Sequence, residues 1–227
     1  MARRRINTRF LGVLFAVILV LAIGAVMARK FLHHENPQPY IAAGDAALKA
    51  GDWPKAAANL GKAVSLMPKD PRLLTEYGQA LAQSSPDDPD VMRKVLGAWH
   101  GALDIDPDCK EAWLSLLNYY NGQMSALEAQ PGEHNRNNLT NLYTLARENA
   151  AQLVRLDPTN PDIAAILPTL NLRMWLLDIP IPLSAAESAL PFDKRPTDEQ
   201  KVNDAIVLLL QRLHDEPTNI QPGMWVA

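Results

Sequence analysis

Residues 40–68 alternate between apolar and polar positions with the period of two amphipathic helices. Gly51 interrupts this pattern and predicts a tight turn between the helices, because glycine adopts turn conformations without steric cost. Pro68 ends the second helix, since proline cannot continue a helical hydrogen-bond ladder. The apolar face of that helix is spaced at i, i+4 and i+7 and consists of Ala56, Leu60 and Ala63. The stretch therefore predicts a helical hairpin.

Residues 71–107 repeat this arrangement as a second hairpin. Its apolar faces consist of Leu74, Tyr77, Gly78 and Leu81 in the first helix, and of Val95, Trp99 and Ala102 in the second. Pro71 fits the first turn of the hairpin, where its missing N–H costs no hydrogen bond. A polar loop at residues 84–90 separates the two helices, and Asp90 is the predicted N-cap of the second.

Residues 110–158 predict a third hairpin with a longer connection. Its first helix has an apolar face of Trp113, Leu116 and Tyr120, and we expect this helix to continue to residue 129. The polar, turn-rich residues 130–137 predict an exposed, mobile loop, and the second helix is predicted from residue 138 to residue 156. Leu117 occupies the position that Gly78 has in the second hairpin, which predicts a wider helix crossing.

Residues 161–219 are less regular and predict a degenerate fourth unit. Pro168 is expected to kink or split a helix at residues 162–177, and residues 178–183 are predicted to be extended. A short helix at residues 184–190 has Ser184 as its predicted cap. An amphipathic helix at residues 197–215 has either Thr197 or Asp198 as its cap, and its apolar face consists of Val202, Ala205, Ile206, Leu209 and Leu213.

The apolar run at residues 10–28 is close to the ~20 residues that a helix needs to cross a bilayer. More basic residues precede it than follow it, namely Arg3, Arg4, Arg5 and Arg9 against Arg29 and Lys30. The positive-inside rule therefore places residues 1–9 in the cytoplasm and the rest of the chain across the membrane. A cleaved signal peptide, with Val26-Met27-Ala28 as its cleavage site, is the alternative; we prefer the uncleaved anchor because a signal h-region is shorter, at ~7–15 residues. Residues 29–39 predict a linker.

The first hairpin resembles a tetratricopeptide (TPR) repeat, a helix–turn–helix unit of about 34 residues. The residues that match the repeat are Tyr40, Gly44, Gly51, Asp52, Ala56, Leu60, Ala63 and Pro68. The resemblance implies an all-α fold, a right-handed TPR-like α-solenoid of about three to four helical hairpins, preceded by one transmembrane helix. The TPR-like domain then spans residues 40–219, its repeats are residues 37–70, 71–109, 110–160 and 161–219, and residues 220–227 form a tail.

The resemblance also implies where a partner binds. TPR proteins bind peptide segments or partner helices on a concave face, which the first helices of the hairpins line. Taken position by position, this face consists of Asp45, Lys49, Thr75, Gln79, Gln83, Asn118 and Asn121. An asparagine on such an inward helix face can hold a peptide backbone through both its donor and its acceptor. The expected partner is another protein or a peptide segment, and self-association is left open.

Composition and motifs favour recognition over catalysis. The net charge of −3 provides no bulk attraction to nucleic acid. The five histidines share no metal-ligand spacing, the glycines form no phosphate-binding loop, and the single cysteine excludes an internal disulfide. We therefore expect that the protein is not an enzyme and that it holds no cofactor and no metal ion.

Together these patterns predict a membrane-anchored TPR scaffold that recruits or assembles a partner protein in the cell envelope. Its TPR-like domain would lie on the periplasmic or other extracytoplasmic side of the cytoplasmic (inner) membrane. Three alternatives stay open: an accessory factor of secretion, pilus or cytochrome maturation, the non-catalytic part of a larger exported enzyme, and a purely structural, self-assembling solenoid.

Overall fold

A computed structural model describes residues 35–129 and 133–215, together with Ile18, Leu19 and Leu21. Every regular element of these residues is a helix, and no β-strand occurs among them. The all-α fold class that the sequence predicts is therefore confirmed.

The α-helices follow one another closely along the chain. They are α1 Gln38–Ala50, α2 Trp53–Leu66, α3 Pro71–Ser84, α4 Pro89–Ile105, α5 Lys110–Glu128, α6 Glu133–Leu156, α7 Pro161–Ala164, α8 Ile166–Leu176, α9 Ala185–Ser188 and α10 Asp198–Asp215. A 3-10 helix, Phe192–Lys194, lies between α9 and α10.

Helices that are neighbours in the sequence are also neighbours in space. α1 packs on α2, α3 on α4 and α5 on α6, and the resulting hairpins meet through α2 with α3 and through α4 with α5. In addition, α3 contacts α5, and α10 packs on α8. Two apolar clusters result, one built by α1 to α3 around Leu60 and a larger one that extends from Val95 in α4 to Val202 in α10.

The first two hairpins each bring their helices together at a glycine. A Cβ atom added to Gly44 would lie 2.7 Å from Cγ of Leu60, and one added to Gly78 would lie 2.5 Å from Nε1 of Trp99. These distances are far below van der Waals contact, so a larger residue would have to displace its neighbour. The two glycines therefore permit a close approach of α1 to α2 and of α3 to α4.

In the third hairpin the large and the small residue are reversed, so that the first helix carries the large one and the second helix the small one. Leu117 stands at the position of Gly78, counted from the first residue of α5 and of α3. Ala150 stands at the position of Trp99, counted back from the Asp-Pro turn that follows each hairpin. Leu117 is 1% exposed and Ala150 is 0% exposed, and both belong to the larger apolar cluster. A large residue in the first helix is thus accompanied by a small one in the second. The wider crossing predicted from Leu117 stays a prediction.

The start of α4 corrects the prediction that Asp90 caps this helix. Asp88 is the N-cap, since its Oδ1 accepts hydrogen bonds from Asp90 N at 2.9 Å and from Val91 N at 3.3 Å. Pro89 accounts for the difference, because its fixed φ suits the first helical position. The helix therefore begins at Pro89, earlier in the chain than a cap at Asp90 would allow. Asp90 lies in the first turn, where a negative charge interacts favourably with the helix dipole.

The connection between α5 and α6 is shorter than the loop predicted at residues 130–137. α5 ends at Glu128, as expected, but α6 begins at Glu133, so the predicted start at residue 138 is wrong. The prediction is wrong because polar residues suit an exposed helical turn as well as a loop. In these extra turns, Arg136 Nη2 lies 2.9 Å from Oδ2 of Asp178 and ties the start of α6 to the end of α8. Residues 130–132 lie outside the described residues.

Pro168 splits the helix predicted at residues 162–177 into α7 and α8, which confirms the expected effect of this proline. Its ring nitrogen cannot donate to the carbonyl of Ala164, and the helix is interrupted at Ala165. Residues 179–184 form no helix, whereas Asp178, predicted as the first residue of the extended segment at 178–183, lies in a turn with a φ of 54°. Ile179 and Ile181 of this segment are buried in the larger apolar cluster.

Two capping boxes begin the last helices. Ser184 Oγ accepts a hydrogen bond from Glu187 N at 3.2 Å, and Glu187 Oε2 accepts one from Ser184 N at 2.6 Å. Thr197 and Gln200 make the same exchange at the start of α10, at 3.2 and 2.8 Å. Of the two caps that the sequence left open for α10, the structure uses Thr197 and not Asp198.

The predicted membrane anchor at residues 10–28 lies outside the described residues, apart from Ile18, Leu19 and Leu21, which are helical and exposed. Within the part of the chain that the structure describes, no helix combines the length and apolar character that crossing a bilayer requires. The predicted tail at residues 220–227 also lies outside it.

Candidate protein-binding surface

α1, α3 and α5 contain all the residues that the sequence predicts for protein binding. Arg72 at the start of α3 reaches Asp45 of α1, and α3 contacts α5 directly. The predicted residues nevertheless differ in what their side chains touch, and they fall into three groups.

Asp45 is held in an ion pair between two helices. Nη2 of Arg72 lies 3.1 Å from both Oδ1 and Oδ2 of Asp45, and Nε of Arg72 donates to Oε1 of Glu76 at 2.7 Å. These two carboxylates raise the pKa of the Arg72 guanidinium, chiefly through the hydrogen bond to Glu76. Asp45 is therefore already engaged in joining α1 to α3, and an ion pair this exposed adds only about 0–1 kcal/mol to stability.

Thr75 and Asn121 are buried, at 5% and 8% exposure. Thr75 Oγ1 donates to the carbonyl of Pro71 at 2.8 Å and lies 3.7 Å from the buried thiol of Cys109. Asn121 Oδ1 accepts a hydrogen bond from Nη1 of Arg173 at 2.8 Å. The structure uses both side chains inside the protein and places neither of them on an open face.

The remaining residues form what we name the polar row: Lys49, Gln79, Gln83 and Asn118. All four side chains are exposed, and none has a hydrogen-bond or ion-pair partner among the described residues. Gln79 and Asn118 occupy corresponding positions in α3 and α5, and Gln83 follows Gln79 by one helical turn. Each amide therefore presents its donors and its acceptor to solvent.

The surface beside Asn118 is open as well. Gly122 follows Asn118 by one turn and occupies the position that Lys49 and Gln83 have in the earlier helices. A Cβ atom added to Gly122 would meet nothing within 4 Å. A bound chain could therefore approach the backbone of α5 closely at this point.

The sequence did not reveal a charged network at the α5 end of this surface. Nη2 of Arg173 in α8 lies 2.9 Å from both carboxylate oxygens of Glu128, and Tyr143 of α6 donates its hydroxyl hydrogen to the same carboxylate. The guanidinium carbon of Arg173 lies 5.6 Å from the centre of the Tyr143 ring. Burial, followed by the hydrogen bond to Glu128, raises the pKa of Tyr143, which keeps its hydroxyl protonated. The network fixes α5, α6 and α8 to one another.

Arg173 and Asn121 also border a small cleft between α5 and α8, whose other walls are Leu117, Ile166, Thr169 and Leu170. Its volume is about 10 Å³, which leaves room for about one water molecule. Elsewhere in the described residues, no three His, Cys, Asp or Glu side chains come together as a metal site would require. Among the described residues, the polar row combines exposed side chains with hydrogen-bonding groups that have no partner.

Comparison with protein-family models gives no match to this chain, and comparison with curated proteins finds no relative of it.

Proposed function

We propose that this chain is a membrane-anchored scaffold that binds another protein, or a peptide segment of one, along the polar row and assembles it in the cell envelope. The observation that supports this proposal is the polar row itself. Its three amides are exposed and unengaged, and they lie on two neighbouring helices. Free amides on adjacent helices suit recognition of a polypeptide backbone, whose donors and acceptors alternate along the chain.

The proposed architecture is a right-handed TPR-like α-solenoid of about three to four hairpins. The order of packing supports it, because each hairpin packs on the next one along the chain. The close approaches at Gly44 and Gly78 also support it, since small residues are expected where the two helices of a TPR hairpin cross. In such a stack the first helices line one face, where α1, α3 and α5 present the polar row.

The polar row favours an extended and largely uncharged ligand segment. Lys49 is its single charged member, and Asp45 beside it is paired with Arg72. A segment that crosses α3 and α5 would meet Gln79 first and Asn118 next. An acidic residue in the ligand could then pair with Lys49 at the α1 end.

The proposed location rests on the apolar run at residues 10–28. We expect the full chain to stay in the membrane pellet after a carbonate wash and to keep its original amino terminus. A mature protein that begins at Arg29 would show a cleaved signal peptide instead. Mass spectrometry of the intact protein distinguishes these two outcomes.

Selection from a peptide display library, with the full chain held in lipid nanodiscs, tests the binding proposal. The Gln79→Ala/Asn118→Ala double variant should bind the selected peptides with about 30-fold lower affinity, since two hydrogen bonds of about 1 kcal/mol each are lost. Lys94→Ala/His100→Ala is the matched control, because both residues are exposed on α4 and lie outside the polar row. Isothermal titration calorimetry measures the affinities.

Equal losses in the two double variants would argue against the polar row as the binding surface. Failure to enrich any peptide sequence would argue against peptide recognition as the function. Circular dichroism of each variant checks that the helices are retained.

A further inference from the structure

The outer side of α10 is apolar and exposed. Val207 is 64% exposed and Leu210 is 58% exposed, and their spacing of three residues places them on one face of the helix. Asn203, one turn before Val207, and His214, one turn after Leu210, are also exposed. We name Val207 and Leu210 with their two polar neighbours the outer stripe. No described residue covers it.

The corresponding positions of the earlier second helices are small or polar. Counted back from the proline that follows each helix, Val207 corresponds to Ala58, Gly97 and Glu148, and Leu210 corresponds to Gly61, His100 and Ala151. All of these except the half-buried Gly61 are exposed, although a further helix follows α2, α4 and α6. A segment that followed α10 in the same way would therefore leave Val207 uncovered. Two large apolar residues at these positions indicate a contact that the earlier helices do not make.

We propose that a second copy of this chain covers the outer stripe, with the two α10 helices antiparallel about a two-fold axis. An axis between Val207 and Leu210 makes Val207 of each copy face Leu210 of the other. A two-fold contact uses the same patch on both copies, so the apolar pair on each chain meets the same pair on the other copy.

The polar residues at the ends of the outer stripe fit this arrangement. Antiparallel pairing brings His214 of each copy beside Asn203 and Asp204 of the other copy, so the contact is made once at each end of the pair. Asp204 is exposed, and its carboxylate can accept a hydrogen bond from the imidazole. Parallel pairing would instead place Asp204 of one copy beside Asp204 of the other copy, where the two like charges repel. Antiparallel helices also align their dipoles favourably.

A contact between single helices is small compared with the interfaces of permanent dimers. We therefore expect reversible association that depends on protein concentration. Such a dimer leaves the polar row on α1, α3 and α5 accessible, so the assembly would present two copies of the proposed binding surface.

Sedimentation velocity of the full chain in detergent, over a wide concentration range, tests the proposal. The wild type should pass from monomer to dimer as the concentration rises. The Val207→Glu/Leu210→Glu variant should stay monomeric throughout, because two charges on each chain would have to be buried in the contact. Phe192→Glu is the matched control, since Phe192 is 87% exposed but lies outside α10, and it should dimerise as the wild type does.

Exchange of charges tests the antiparallel orientation. Asp204→Lys alone and His214→Glu alone should each weaken the dimer. The double variant should restore it, because the introduced lysine and the introduced glutamate then lie beside each other as opposite charges. A double variant weaker than both single variants would overturn the antiparallel arrangement.

A chain that stays monomeric at every concentration would overturn the proposal, as would a dimer that the Val207→Glu/Leu210→Glu variant leaves intact. A third outcome is tested in a Cys109→Ser background, with cysteines introduced by Leu210→Cys and Val226→Cys. A disulfide that closes within one chain would show that residues 216–227 occupy the outer stripe, and the proposal would then be wrong.

Discussion

Replacement of Gly78 by alanine tests how closely α3 and α4 pack. The added Cβ would lie 2.5 Å from Nε1, 2.8 Å from Cδ1 and 3.2 Å from Cε2 of Trp99. The indole cannot yield easily, because it is 4% exposed and its Nε1 donates to the carbonyl of Thr75 at 3.3 Å. The ring is also rigid, unlike the end of a flexible side chain. Either the helices separate or the ring turns and loses its hydrogen bond.

Three contributions determine the expected loss of stability. Overpacking costs about 1–3 kcal/mol, and the lost hydrogen bond of Trp99 costs about 1 kcal/mol. Alanine has the better helix propensity and offsets about 1 kcal/mol of this cost. The free energy of unfolding of Gly78→Ala should therefore fall by about 1–3 kcal/mol, which corresponds to a decrease in Tm of about 2–12 °C for a domain of this size.

Thermal and urea unfolding of the full chain, followed by circular dichroism, measure this change. Gly122→Ala is the matched control, because Gly122 is also helical but nothing lies within 4 Å of an added Cβ. Only the propensity contribution applies there, so the control should gain about 0.5–1 kcal/mol. The two substitutions are chemically identical and should change stability in opposite directions.

A Gly78→Ala variant at least as stable as the wild type would refute this account of the packing. A second check uses Trp99→Ala, which removes the whole indole that the new Cβ would meet. In that background Gly78→Ala should cost at least about 1 kcal/mol less, since the clash and the hydrogen bond are both gone. An unchanged cost would show that another contact is responsible.

Other substitutions test the buried network and the turns. Arg173→Ala should lower the free energy of unfolding in urea by about 2–4 kcal/mol, because it leaves the partly buried Glu128 carboxylate without its cationic partner; a loss below about 0.5 kcal/mol would contradict this. Burial raises the pKa of Tyr143, so wild-type stability should be complete below its ordinary value of 10.0 and fall as the pH rises above it, and Tyr143→Phe should weaken this dependence. The hydrogen bond from Lys110 lowers the pKa of Asp157, so wild-type stability should fall as the pH drops below the ordinary value of 3.8. Asp157→Asn should make that acid dependence shallower, and an equally steep curve would refute the assignment.

Features that depend on a few adjacent residues could be predicted from the sequence. The caps at Ser184 and Thr197 follow from a partner three residues later in the chain, and Pro168 interrupts a helix through its own missing N–H. Polarity alone was a weaker guide to helix ends. It predicted a cap at Asp90 where Pro89 had already begun the helix, and it predicted a loop where α6 had begun at Glu133.

Contacts between distant parts of the chain could not be predicted in this way. Arg173 and Glu128 are 45 residues apart, and no spacing in the sequence indicates which cation meets which carboxylate. Thr75 and Asn121 occupy helix positions that predicted an open face. Their burial depends on Cys109 and Arg173, which come from later helices and approach only in the packed protein. The exposure of the polar row likewise depends on how the helices pack, so the positions of its residues along each helix could not establish it.

The reversed sizes of Leu117 and Ala150 mean that the hairpins are not interchangeable parts. A chimera with α3 in place of α5 would put a glycine opposite Ala150 and leave a void, whereas one with α4 in place of α6 would force a tryptophan against Leu117. We expect such a chimera to fold only when both helices of a hairpin are exchanged together. Considered one at a time, Leu117 and Ala150 are two independent differences between the hairpins. In the packed protein they are one change, because the larger residue in one helix is compensated by the smaller residue in the other.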